Sequence, residues 1–233
     1  MLISRRVILL GLPAVLMVGL TALTGCATGE RPSFDDDAAA APPLRAADGP
    51  PGTLTSVGIV GDSITAAAAD SLRWVLTARG ITDITIDAES KRRIEVGNGT
   101  TEPPSGVKAL YQLLASGAQP DAWVIALGTN DVGSYPDPDA YAALVDRVLD
   151  MLPSTTPIVW VDVYLPDSLA DSQVFDLVLR ERLQARGNAV VAPWYATASQ
   201  PAADLLSSDG VHPNAAGLTV FATVIADALA QLP

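Results

Sequence analysis

From residue 55 onward, short runs rich in β-branched residues alternate with segments whose apolar residues recur every three or four positions. The runs are Val57-Gly58-Ile59-Val60, Ile81 to Ile86, Trp123 to Leu127, Ile158 to Val163 and Ala189 to Ala192. Near-continuous apolar strands separated by helices return parallel to one another and are buried on both faces. The pattern predicts an α/β domain with three layers, a five-stranded parallel sheet flanked by helices.

Two helical stripes are explicit. Tyr141, Leu144, Val145, Val148, Leu149 and Leu152 line one face between the third and fourth runs, and Leu218, Phe221, Val224, Ile225 and Leu229 do so after Pro213 and Asn214. These positions, with Trp74, Trp123 and Trp160, read as core packing. Ligands of an open α/β sheet bind beyond the carboxyl ends of the strands, so the polar residues after strands one, two, three and five are the candidates for function.

The 233 residues suit one catalytic-size domain. A net charge of -12, spread along the chain, argues against nucleic acid as a partner, since phosphate binding needs clustered Lys and Arg. A single Cys, Cys26, excludes an internal disulfide and Cys-rich zinc sites, and a single His, His212, leaves a His-based metal site short of ligands. The expectation is no metal and no cofactor.

Residues 7 to 23 carry no charge and follow Arg5 and Arg6, the arrangement of an export signal. Leu23-Thr24-Gly25-Cys26 then resembles the bacterial lipobox, which implies cleavage after residue 25 and lipidation of Cys26. Ser4-Arg5-Arg6-Val7-Ile8-Leu9 leaves the Sec and Tat routes both open. The other reading of the run is a retained membrane span, for which it is slightly short of about 20 residues. Residues 26–54, with Asp35-Asp36-Asp37, an alanine run, Pro42-Pro43 and Gly49-Pro50-Pro51-Gly52, lack apolar periodicity and read as a disordered tether. The expected order is signal peptide 1–25, lipidated Cys and tether 26–54, and catalytic domain 55–233, on a monomer lipid-anchored to the outer face of the cell membrane.

Three motifs fall at strand ends. Gly61-Asp62-Ser63-Ile64-Thr65 joins the first strand to a helix start, where unpaired backbone N–H groups favour developing negative charge. Ser63 there suits a nucleophile whose own N–H also serves an oxyanion hole, although a Ser or Asp helix cap would look alike. Asp209-Gly210-Val211-His212-Pro213 places a carboxylate three residues before the one imidazole. An imidazole with an ordinary pKa near 6.5 can take a Ser proton, and Asp209 can orient it and stabilise its charged form. Leu127-Gly128-Thr129-Asn130-Asp131 ends the third strand, and the Asn130 amide can donate to an oxyanion, or simply form an Asx turn.

On these residues, across about residues 55 to 231, the chain resembles the SGNH hydrolases, also called GDSL-type esterases. The resemblance implies a flavodoxin-like sheet, Ser63 as nucleophile, an Asp209/His212 pair and an oxyanion hole. That hole comprises the Ser63 N–H, the Asn130 amide and a Gly N–H after strand two. The last is a departure, because Asp87-Ala88-Glu89-Ser90-Lys91-Arg92-Arg93 contains no Gly and Lys91 stands in its place. Either the Lys91 backbone N–H serves, or Gly97 or Gly99 does.

The function expected is a serine-dependent carboxylic ester hydrolase working through an acyl-enzyme, on a small-molecule or envelope-glycan ester. Two alternatives stand beside it: an O-acyl or acetyl transferase or deacetylase on envelope polysaccharide, and a catalytically inactive lipid-anchored binding protein. Substrate choice rests on segments 94–107, 132–138 and 164–172, whose shapes the sequence leaves open.

Overall fold

The computed structural model of the chain describes residues 54–200 and 204–233. The residues expected to form the signal segment, Cys26, and residues 27–53 of the expected tether lie outside the described residues, while Leu54, the last residue of that expected tether, packs against the core. Among the described residues no helix is long and apolar enough to cross a membrane.

Five parallel strands form one sheet in the order β2-β1-β3-β4-β5: β1 Ser56–Gly61, β2 Asp83–Ala88, β3 Ala122–Ala126, β4 Ile158–Val161 and β5 Ala189–Ala192. The helices are α1 Ser63–Ala67, α2 Ala69–Ala78, α3 Gly106–Ala115, α4 Pro138–Met151, α5 Leu169–Arg186, α6 Trp194–Ala198 and α7 Ala215–Leu229. This order places β1 and β3 side by side at the centre, the switch point of a doubly wound sheet. The expected three-layer architecture is therefore present. Strand two starts two residues later than its apolar run, since Ile81 and Thr82 lead into it, and β4 closes at Val161.

Strand residues alternate between two cores, as a period of two requires. Val57, Ile59, Val124, Val159 and Val161 pack with α1, α2, α6 and α7 on one side. Val60, Trp123, Ile125, Ile158 and Trp160 pack with α3, α4 and α5 on the other. Gly58 lies beneath the Trp123 ring, where a Cβ would come within 2.5 Å of it. Trp123 and Trp160 are buried as expected, but Trp74 is not. It is 69% exposed, because α2 buries Leu72, Val75 and Leu76 and residue 74 falls on the opposite side of that turn.

Buried carboxylates tie the strand ends to the helices. Beyond β4, Asp162 accepts from the Tyr195 N–H at the start of α6 and from the Arg180 guanidinium of α5. Asp176 of α5 accepts from the Val163 N–H at 2.9 Å, and its burial, reinforced by the charge of Asp162, pushes its carboxyl up to about 7. The folded chain therefore holds this proton over a pH range in which the unfolded chain, with an ordinary value of 3.8, has released it. Between those two values, stability contributed by this group falls as pH rises, and above the upper one the penalty is constant. Asp176→Asn keeps the acceptor for Val163 and removes the ionisation. It should raise the melting temperature by several degrees at about pH 8, change it little at about pH 4, and partly flatten the pH profile of thermal unfolding between them.

Candidate active site

At the carboxyl end of β1 the chain turns directly into α1. Asp62, buried, is the N-cap and accepts from the Ile64 N–H at 2.9 Å, which leaves Ser63 as the first helical residue. Gly61 makes this corner possible, since any Cβ there would sit 2.2 Å from the Thr65 hydroxyl oxygen. Burial pushes the Asp62 carboxyl up to about 6, against the opposing hydrogen bonds from the Ile64 N–H and the Thr129 side chain.

The structure brings the chain's one imidazole to this serine. His212 Nε2 lies 2.9 Å from Ser63 Oγ across 149 residues of sequence, and His212 Nδ1 lies 2.8 Å from Asp209 Oδ2. The other carboxylate oxygen of Asp209 accepts from the N–H groups of Val211 and His212, each at 2.9 Å. Those two backbone donors, followed by the imidazole, hold the Asp209 carboxyl down at about 2, so it remains ionised through the neutral range. A charged acceptor at Nδ1 favours the tautomer that carries its proton there, which turns the Nε2 lone pair toward the hydroxyl. The arrangement can therefore remove the Ser63 proton and stabilise the resulting imidazolium. Ser63 is half-buried, and the side chains of His212 and Asp209 are 41% and 50% exposed, so the site opens directly to solvent.

The third motif also arrives here. Gly128 follows β3 with φ +129, packed so closely on Phe175 that a Cβ would approach the ring to 2.6 Å. The turn that follows closes through Asp131 and Val132 N–H bonds to the Gly128 carbonyl, and it presents Asn130 half-buried. Asn130 Nδ2 lies 3.5 Å from Asp62 Oδ2 and donates to the Arg92 carbonyl at 3.0 Å. Its amide is thereby held beside the residue that caps the Ser63 helix.

Lys91, standing where the resemblance calls for Gly, has φ +64 and occupies the third position of a turn closed by the Arg92 N–H on the Glu89 carbonyl. That is the left-handed conformation that glycine adopts at no steric cost, so the backbone here has the form a glycine would take although its side chain is an exposed lysine. The alternatives Gly97 and Gly99 also have positive φ, but they face the start of α3 and the segment before it: Pro103 and Ser105 for the first, Pro104 and the Lys108 side chain for the second.

Two residues at the site escaped the sequence reading. Arg92 is fully buried although it stands between Lys91 and Arg93, and nothing in the sequence reading gave it a role. Asp131, also fully buried, accepts from the Ile94 N–H at 3.0 Å and from Arg93 Nε at 3.3 Å, so the loops after β2 and β3 are laced together. Its burial raises its carboxyl to about 6. Among the described residues, no cluster of His, Cys, Asp and Glu is arranged to hold a metal ion.

A parallel sheet of this order, with a serine after the first strand bonded to a histidine and aspartate near the carboxyl terminus, defines a class of acyl-transferring hydrolases. Residues 59–220 match the GDSL-like lipase/acylhydrolase family, and the chain belongs to it. Several solved structures share the fold at low sequence identity. The C-terminal catalytic domain of Streptococcus pneumoniae peptidoglycan O-acetyltransferase A is 20% identical with a TM-score of 0.60, the match covering 76% of this chain and 94% of that one. A lipase/acylhydrolase from Enterococcus faecalis is 19% identical with a TM-score of 0.60, over 76% and 97%. The psychrotrophic esterase EstA from Pseudoalteromonas sp. is 18% identical with a TM-score of 0.52, over 75% and 96%. Among curated protein sequences no significant match is found.

Proposed function

We propose that this protein is a serine-dependent carboxylic ester hydrolase that works through an acyl-enzyme. The observation that carries the reading is the single imidazole bridging Ser63 Oγ and Asp209 Oδ2 at 2.9 and 2.8 Å. His212 takes the Ser63 proton as the hydroxyl attacks the ester carbonyl, and the charge that develops on the carbonyl oxygen is met by the N–H groups of Ser63 and Lys91 and by the Asn130 amide. Collapse expels the alcohol, which receives the proton from His212. Water, activated by the same imidazole, then attacks the acyl-serine and releases the acid. Asp209 stays ionised throughout and fixes the tautomer.

A second reading is supported by the exposure of the histidine and aspartate, which leaves room for an acceptor larger than water, and by the likeness to a peptidoglycan O-acetyltransferase domain. In that case a sugar hydroxyl intercepts the acyl-serine. The proposed setting for either reaction is the outer face of the cell membrane, with Cys26 as the lipid anchor. A panel of p-nitrophenyl esters of increasing acyl length, assayed with and without a chitooligosaccharide acceptor, tests both readings. Release of free acid in step with p-nitrophenol is the expected result. Acylated sugar in its place would favour the transferase, and no turnover of any ester would count against both.

A further inference from the structure

We infer that Arg92 is a positioning residue for the oxyanion side of the site, a role that rests on the acyl-enzyme reading above and adds to it. Its guanidinium has no exposed surface, and its hydrogen bonds gather three separate segments. Nε donates to the Pro104 carbonyl at 3.0 Å, ahead of α3. Nη1 donates to the Asp87 carbonyl at 2.7 Å, in β2, and to the Gly61 carbonyl at 3.2 Å, one residue before the cap of the Ser63 helix. Nη2 donates to Asp87 Oδ1 at 2.7 Å.

The planar fork of an arginine, held on acceptors from several directions, fixes the position of its own backbone. That backbone is what joins Arg92 to Lys91 and to Asn130. The Arg92 N–H closes the turn that holds Lys91 at φ +64, and the Arg92 carbonyl accepts from Asn130 Nδ2 at 3.0 Å. One residue thus sets both the Lys91 peptide and the Asn130 amide, while its side chain references them to the end of β1. The adjacent Arg93 and Ile94 bind Asp131 and complete the registration of one loop on the other. A lysine at position 92 would keep the charge but cannot span these acceptors, because an ammonium is a point donor without the fork.

The test is a double-mutant cycle on the full-length chain, combining Arg92→Lys with Asn130→Ala and measuring kcat and KM on a p-nitrophenyl ester. Arg92→Lys is expected to lower kcat by up to about 100-fold, the scale of an ångström-size misplacement of a catalytic group, and to leave KM nearly unchanged. In the Asn130→Ala background the same substitution should cost clearly less than in the wild type, since one of the two donors it positions is already gone and the Lys91 N–H is left to be displaced. Asp87→Asn, which removes the charged acceptor but leaves the fork in place, should give a smaller kcat loss with the same dependence on Asn130, and it carries the cycle if Arg92→Lys does not fold. Losses that multiply fully in the Asn130→Ala background, or an unchanged kcat in the single variants, would overturn the role. Ser63→Ala measured alongside separates the two levels. Turnover surviving that change would defeat the acyl-enzyme reading itself, whereas its loss together with an unaffected Arg92→Lys would defeat only the inference about Arg92.

Discussion

Replacing Ser63 by Ala should lower ester hydrolysis by about 10³-fold or more and abolish covalent labelling by a fluorophosphonate, with the thermal transition nearly unmoved. The geometry sets this expectation. Among the described residues Ser63 is the hydroxyl at hydrogen-bond distance from the imidazole, and its side chain plays no part in capping α1, a task done by Asp62. His212→Ala should cost about as much, because nucleophile and base act as one unit and loss of either stops proton removal. Asp209→Asn should cost less than either. Its remaining amide oxygen can still accept from the Val211 and His212 N–H groups, so the loop survives while the charge that fixes the tautomer is lost. A protein that only binds its ligand would remain unlabelled in the wild type, which makes the labelling experiment decisive between enzyme and binding protein.

The second large effect is expected at Asn130. Asn130→Ala removes a donor that the bound substrate needs more as its carbonyl becomes an oxyanion, so kcat should fall by about 10² to 10³, or roughly 2.7 to 4 kcal/mol, with KM changing little. Asn130→Asp should be worse than Ala despite its matching shape. A carboxylate there cannot donate, and it would stand beside Asp62, whose buried carboxyl already lies at about 6. Steady-state kinetics of both variants with one ester check this, and slow labelling of Ser63 should persist in the Ala variant because the nucleophile and base are intact.

Much of this arrangement was legible from local pattern. Sheet, strand positions and helix stripes follow from periods of two and about 3.6, which are properties of neighbouring residues. The motif residues Ser63, Asn130, Asp209 and His212 sit at strand ends or turns whose chemistry is also local. Trp74 failed for want of phase: taken alone a tryptophan suggests a core, but counted from Leu72, Val75 and Leu76 it points outward. Arg92 and Asp131 were illegible for a different reason. The burial of Arg92 depends on carbonyls at positions 61, 87 and 104, and that of Asp131 on the N–H of residue 94, so no window of sequence contains the partners that make these charges tolerable inside. Lys91 lies between the cases. The sequence shows a missing glycine, while the left-handed turn appears only once β2 and Arg92 hold the backbone there.

Asp209 and His212 lie on one short segment that is largely self-bracing. The Ser207 N–H bonds the His212 carbonyl, and Asn214, the cap of α7, bonds the Leu205 carbonyl through its backbone and the Asp204 and Leu206 carbonyls through its side chain. The proton-handling pair is thus assembled as a cartridge, and it meets its serine through the seating of α7 on the sheet together with the packing of Leu205 and Leu206 in the core beside it. Partial loosening of that last helix would disconnect the pair with neither half damaged, so under mild denaturant catalysis should fade ahead of the global transition and return in full on dilution.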